Sequence, residues 1–257
     1  VSDTVWTIGK SGESEDWIVQ QGQTSVAVVH RSLAFAAAGL LVAVAAVLTF
    51  DRTAAVLGGG TGAAILSLLV TWIPLAGAVL LALFWPGQRE STSQLGLRLL
   101  PVDLLWGLGV GLAARLIAAL LDLGLYGTTG LVRQPIVGVP VNGWFILTGL
   151  LAPVVIAPFI EEAFFRGLLQ GSLTRTLDQW VPRPGAAAGA VFVTSALFGV
   201  VHVLGTSDPI QLSYLFATTF LLGIGTGVLA ARSGRIGGAF VAHVVFNGIA
   251  VALTWPS

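Results

Sequence analysis

The chain has 257 residues, 55% hydrophobic and only 9% charged, and its 12 basic and 12 acidic residues cancel. A soluble domain carries about 25% charged residues, so this composition excludes a fold surrounded by water and makes lipid part of the solvent. There is no basic stripe and no cysteine, which excludes nucleic-acid binding, disulfides, thiolate metal sites and cysteine nucleophiles.

Residues 1–28 are polar and mildly acidic (Glu13, Glu15, Asp16) and read as a loosely ordered cytoplasmic tail ahead of a single membrane domain, 29–257. Neither a basic start nor a short apolar core marks a signal peptide there. Methionine is absent even at position 1, as expected of a processed, recoded or trimmed start. Seven apolar runs follow, at about 31–50, 63–85, 102–126, 144–168, 186–205, 210–231 and 235–254. Each reaches the roughly 20 residues needed to cross the hydrocarbon. The expected fold class is therefore all-α, a polytopic transmembrane bundle of seven spans, with eight possible. Gly58 to Gly60 with Gly62, then Pro86 to Pro101, then Gly127 to Pro140 punctuate the first four spans. The polar stretch 169–185 reads as a short interfacial helix.

Cations set the orientation. Lys10, Arg31, Arg89, Arg98, Arg175, Arg183, Arg232 and Arg235 fall on one side, and only Arg52 and Arg133 on the other. That asymmetry predicts a cytoplasmic N-terminus. Lys10 is the sole lysine, and alanine and glycine abound; this fits a GC-rich bacterial genome and a bacterial inner-membrane location. Small residues four apart (Gly107 and Gly111, Gly185 and Gly189, Gly223 and Gly227, Gly234 and Gly238) read as close-packing surfaces inside the bundle. They leave the oligomeric state open. Trp85, Trp144 and Trp255 near span ends resemble an aromatic belt, whereas Trp72 and Trp106 are expected to pack inside.

Ionisable groups at membrane depth cost about 2.5–3.5 kcal/mol on insertion scales, so each needs a partner and usually a task. The fourth span carries Glu161, Glu162 and Arg166, the fifth Phe198 and His202, the seventh His243 and Asn247. Adjacent glutamates on a helix point about 100° apart. Glu162 and Arg166, four apart, share a face where an ion pair forms, which leaves Glu161 in a different environment. Two carboxylates in unlike surroundings are what acid–base chemistry requires. His243 and Asn247 also share a face, and His202 adds a second imidazole. Such a set suits water activation and stabilisation of an oxyanion. Read alone, each could equally be an ion-pair cluster or interhelical glue. Arg115 and Asp122, seven apart in the third span, are expected as a polar pair with a possible part in substrate binding.

Glu-Glu-x-x-x-Arg, Phe-x-x-x-His and His-x-x-x-Asn on successive helices resemble the signature set of the CPBP/Abi family, which includes the eukaryotic CAAX prenyl protease 2. The resemblance covers a motif core of about 144–250. It implies an intramembrane endopeptidase in which Glu161 activates water with help from His202. His243 and Asn247 would support the oxyanion, Glu162 would pair with Arg166, and Phe198 would lie near substrate. No cofactor is required on this reading. An older metallopeptidase reading would place zinc on Glu161, His202 and His243, although the set lacks the His-Glu-x-x-His arrangement common in zinc proteases. The expected partners are membrane lipids and a peptide or membrane-protein substrate. The competing readings are a non-catalytic immunity or scaffold protein of the same fold and a proton-coupled transporter; the sequence shows no inverted repeat to favour the latter. Two features sit awkwardly. Relatives usually have eight spans, and His202 falls near the outer end of its span while Glu161 falls near the inner end of its own. A late start of the fifth span, or a tilt or break in it, is expected to reconcile them.

Overall fold

The computed structural model describes the backbone of residues 11–56, 60–86, 92–132, 135–138 and 140–256. Seven long helices make up the fold: α1 (Ser11–Val56), α2 (Gly60–Phe84), α3 (Pro101–Tyr126), α4 (Gly143–Leu177), α5 (Arg183–Val203), α6 (Pro209–Ser233) and α7 (Gly237–Thr254). Among the described residues there is no strand. All seven helices are long and apolar enough to cross a membrane. Residues 1–10 of the expected tail, Gly58 and Gly59, and the loop residues Arg89, Glu90 and Arg133 lie outside the described residues.

The helix boundaries follow local chemistry. Pro101 opens α3, and the Asp103 carboxylate accepts from the Leu100 N–H (2.8 Å). Proline fits a first helical position because its missing N–H would have no partner there. The Asp208 side chain accepts from the Ile210 and Gln211 amides to start α6. Gly127 and Gly234 close α3 and α6 with left-handed backbone (φ 73° and 66°), which a side chain would resist.

In two places the helices run further than the sequence predicts. Residues 11–28, expected to be loosely ordered, are helical from Ser11. Extending an existing helix fixes one residue per added hydrogen bond and needs no new nucleus. The stretch 169–177, expected in a separate interfacial helix, instead continues α4 to Leu177. Its polar residues face neighbours: Gln170 Nε2 donates to the Gly227 carbonyl (3.0 Å), and Ser172 is fully buried. This extension also removes the depth conflict. Glu161 is a middle residue of a 35-residue helix, so it lies level with His202 near the far end of antiparallel α5. The fifth helix begins early, at Arg183. The end of the fourth span, not the start of the fifth, was misplaced.

Around α4 the bundle closes in pairs: α1 on α2, α3 on α7, α5 on α6, with α4 touching α1, α2, α5, α6 and α7. Phe164, Phe165, Leu168, Phe198, Leu75 and Leu222 fill the core. Two of the small-residue pairs, Gly107 with Gly111 and Gly223 with Gly227, serve this packing. Gly185 and Gly189 meet only ordinary contacts, and Gly234 is a helix cap with nothing near its Cβ position. A Cβ on Gly107 would come within 2.5 Å of Val241, and one on Gly111 within 2.6 Å of the Ala242 carbonyl. Apolar side chains such as Leu105 and Leu116 of α3 point outward, as lipid contact requires. Trp106, expected to pack inside, is among them, at 60% exposure.

Candidate active site

The helix that carries both glutamates departs from regular α geometry. Residues Ile146–Ile156 and Ala163–Gln170 are wound as π-helix, with a short α segment, Ala157–Glu162, between them. Such wide turns recur at functional sites. Two prolines account for part of this. The Ala157 N–H bonds back five residues to Ala152. In that register the next donor, to the Pro153 carbonyl, would be residue 158, which is proline and has no N–H. The orphaned carbonyl is taken by Asn247, whose Nδ2 donates to it at 2.8 Å.

The sequence-predicted residues converge here. Glu162 is fully buried and takes two partners. Arg166 Nε donates to its Oε2 (3.0 Å), and His243 Nδ1 lies 3.0 Å from its Oε1. Arg166 Nε also reaches Thr226 Oγ1 (3.0 Å). His202 Nδ1 lies 2.8 Å from the Phe198 carbonyl. A carbonyl can only accept, so that nitrogen carries the proton, and a carboxylate imposes the same tautomer on His243. Both rings therefore turn Nε2 toward Glu161, at 3.9 Å from its Oε2 for His202 and 3.8 Å for His243.

These atoms line a cavity of about 270 Å³ together with Asn247, Pro153 and Ala157, and with Ser67, Thr71 and Trp72 of α2. With both rings neutral, a donor placed between Glu161 Oε2 and the two Nε2 nitrogens would satisfy them. The second N–H of Asn247 is available to the cavity, since the carboxamide has two and Pro153 takes one.

Two residues take other places than expected. Phe198 is fully buried and does not line the cavity; its ring packs on His202 (4.3 Å between centroids), Phe165 (5.1 Å) and His243 (5.7 Å). Packed there, it buttresses both imidazoles. Arg115 lies outside the cavity as well, over the Phe246 ring at 5.4 Å, and forms no ion pair with Asp122. Asp122 accepts from the Tyr214 hydroxyl instead (3.0 Å). Thr71 and Trp72 were missed as cavity residues. Their only signal was a polar pair inside an apolar span. Pro153, Thr226 and Gln170 left no signal that one sequence could rank.

A metal reading names Glu161, His202 and His243 as ligands. Among the described residues, however, no three His, Cys, Asp or Glu side chains are arranged to hold one ion. The mechanism below is carried by the side chains alone.

The helices that build the cavity's acid–base set are also those that a family comparison covers. Residues 143–249 match the Rce1-like type II CAAX prenyl endopeptidase family. No curated protein and no solved structure matches the chain. The family match spans α4 to α7 nearly end to end and includes Glu161, Glu162, Arg166, His202, His243 and Asn247. It bears out the resemblance drawn from the three motifs. With seven apolar helices, the match supports a multi-pass membrane protein with a CAAX-type intramembrane protease fold.

Proposed function

We propose that this protein is an intramembrane endopeptidase in which Glu161 activates a water for attack on a peptide carbonyl. The observation that carries the reading is the convergence of three acceptors, Glu161 Oε2 and the Nε2 atoms of His202 and His243, at 3.8–3.9 Å across the cavity. A water between them would donate one hydrogen to Glu161 and the other to an imidazole, leaving a lone pair for the carbonyl carbon. As the new C–O bond forms, the water proton passes to Glu161. The carbonyl oxygen gains negative charge within reach of the free Asn247 N–H, as an oxyanion stabiliser requires. The tetrahedral intermediate then breaks its C–N bond, and the proton held by Glu161 leaves with the amine. His243 supports the oxyanion only once it has itself gained a proton, because its neutral Nε2 accepts. Glu162 and Arg166 hold His243 and the helix register without touching substrate.

The substrate proposed is a peptide segment of a membrane-associated or lipidated protein. A cavity of about 270 Å³ takes an extended segment and excludes a folded domain. Prenylation is not required by any residue in it. The charge asymmetry of the loops further supports a cytoplasmic N-terminus. The test is a pooled library of membrane and lipidated peptides incubated with detergent-purified protein in ¹⁸O-water, with and without chelator. The expected result is cleavage at defined bonds, one ¹⁸O in each new carboxylate, and no effect of chelator. Loss of cleavage with chelator would replace the metal-free mechanism. No cleavage by folded protein would favour the scaffold reading.

A further inference from the structure

The cavity at Glu161 has a wall that the helices of the acid–base set do not supply. That set stands on α4, α5 and α7, whereas Ser67, Leu68, Thr71 and Trp72 of α2 close another part of the lining, beside Val47 of α1. At helical spacing these α2 side chains share one face, a hydroxyl row (Ser67, Thr71) beside an apolar row (Leu68, Trp72). Thr71 departs from the habit of the other helices. Thr148, Thr194, Thr218, Thr219 and Thr254 each turn the hydroxyl back onto the carbonyl four residues earlier, which satisfies it within its own helix. Among the described residues the Thr71 hydroxyl has no hydrogen-bond partner, and the residue lines the cavity. A polar group inside a span calls for one. Helix α2 also lies outside residues 143–249, so the family match assigns it nothing.

We propose that this face of α2 is the substrate-binding wall: Thr71 hydrogen-bonds the peptide backbone beside the scissile bond, and Leu68 with Trp72 receives an apolar side chain next to it. The inference rests on the peptidase reading and narrows its substrate class. An extended segment held between the spans needs partners for its own N–H and C=O groups. A hydroxyl serves either, because it both donates and accepts. The apolar row favours leucine- or phenylalanine-like side chains. Charged ones are disfavoured by the rest of the lining, in which Glu161, His202 and His243 are the only ionisable groups among the described residues. A lysine or arginine in the segment would pair with Glu161 and occupy the base, and an aspartate or glutamate would be repelled by it. The substrate is thus an extended peptide with apolar residues flanking the cleaved bond.

The test uses the full chain in detergent and a peptide series that differs only in the residues flanking the cleaved bond: alanine, leucine, phenylalanine, lysine or aspartate. Wild type is expected to cleave the leucine and phenylalanine peptides best and the charged ones roughly tenfold less well. Trp72→Ala should shift the ratio of kcat/KM between phenylalanine and leucine peptides toward the larger side chain, by roughly tenfold. Thr71→Val keeps the shape and loses the hydroxyl; it should raise KM about fivefold with kcat nearly unchanged, and Thr71→Ser should restore it. A purely packing role would lower the thermal midpoint and leave these ratios alone. Folded, cleaving variants with wild-type preference and KM overturn the wall and leave the peptidase reading standing. If wild type cleaves nothing, fluorescence anisotropy with labelled peptides of the same series decides. Preferential binding of the apolar peptides that Thr71→Val and Trp72→Ala weaken supports the wall without the peptidase. Equal binding by all three proteins, or binding by none, overturns the wall as well.

Discussion

Glu161 and Glu162 are neighbours to which the proposed mechanism gives opposite tasks, and the difference lies in what each touches. Glu162 is saturated by Arg166 and His243, while Glu161 faces the cavity with two imidazole nitrogens at 3.8–3.9 Å. Substitution should separate them. Glu162→Gln leaves Arg166 buried without its counter-charge, and removing one member of a buried pair costs roughly 3–5 kcal/mol. A large drop in thermal midpoint in detergent is expected, with lost activity following from lost structure. Asn247→Ala should lower kcat by about 10²–10³, the usual effect of deleting an oxyanion donor, as measured on any cleaved library peptide. The identities of these residues were legible in sequence because ionisable groups are so rare in the spans. Their partners were not. That Phe198 wedges between two histidines, or that Asn247 closes on a proline carbonyl, depends on helix rotation and register that no single chain segment encodes.

At the scale of the element, α4 carries the site through its irregularity. Pro158 withholds the N–H that the Pro153 carbonyl would otherwise receive, and this draws Asn247 across from α7. Pro158→Ala restores a backbone donor in competition with Asn247. One net hydrogen bond is worth about 1 kcal/mol, so stability should hold or rise while kcat falls roughly fivefold, and a paired melting curve and rate measurement would show the split. A fall in stability with no loss of rate would contradict this view of the helix. Five of the seven helices were legible within a few residues from hydropathy alone, while α1 starts well before its apolar run. The fourth was cut short because Gln170, Thr174 and Arg175 look like a loop to a hydropathy count. In the fold they belong to a helix that packs against its neighbours, with Gln170 bonded to Gly227 of α6.

For the whole molecule, the bundle depends on close helix approach and on one orientation. Gly111 sits against the Ala242 carbonyl and Val245 of α7. Gly111→Leu should cost about 1–3 kcal/mol by overpacking, visible as a lowered thermal midpoint with no change in the groups lining the cavity. Orientation is directly testable because the chain has no cysteine. A cysteine introduced at Gln179, between α4 and α5, is expected to react with an impermeant maleimide from the cytoplasmic side, and one at Ser207, between α5 and α6, from the opposite side. The reverse pattern would overturn the orientation drawn from the arginine distribution. The number of spans was legible in sequence, since apolar length is a local property. The pairing of α3 with α7 was not, because it arises only when distant glycines find each other.

The most direct test of the central claim compares wild type with Glu161→Gln on one cleaved peptide, with both proteins shown to melt at the same temperature. Glutamine keeps the size of the side chain but cannot take the proton from water. Loss of a general base is expected to slow turnover by about 10²–10⁴ while peptide binding persists. A folded Glu161→Gln protein that cleaves at the wild-type rate would contradict the claim that this carboxylate activates the water.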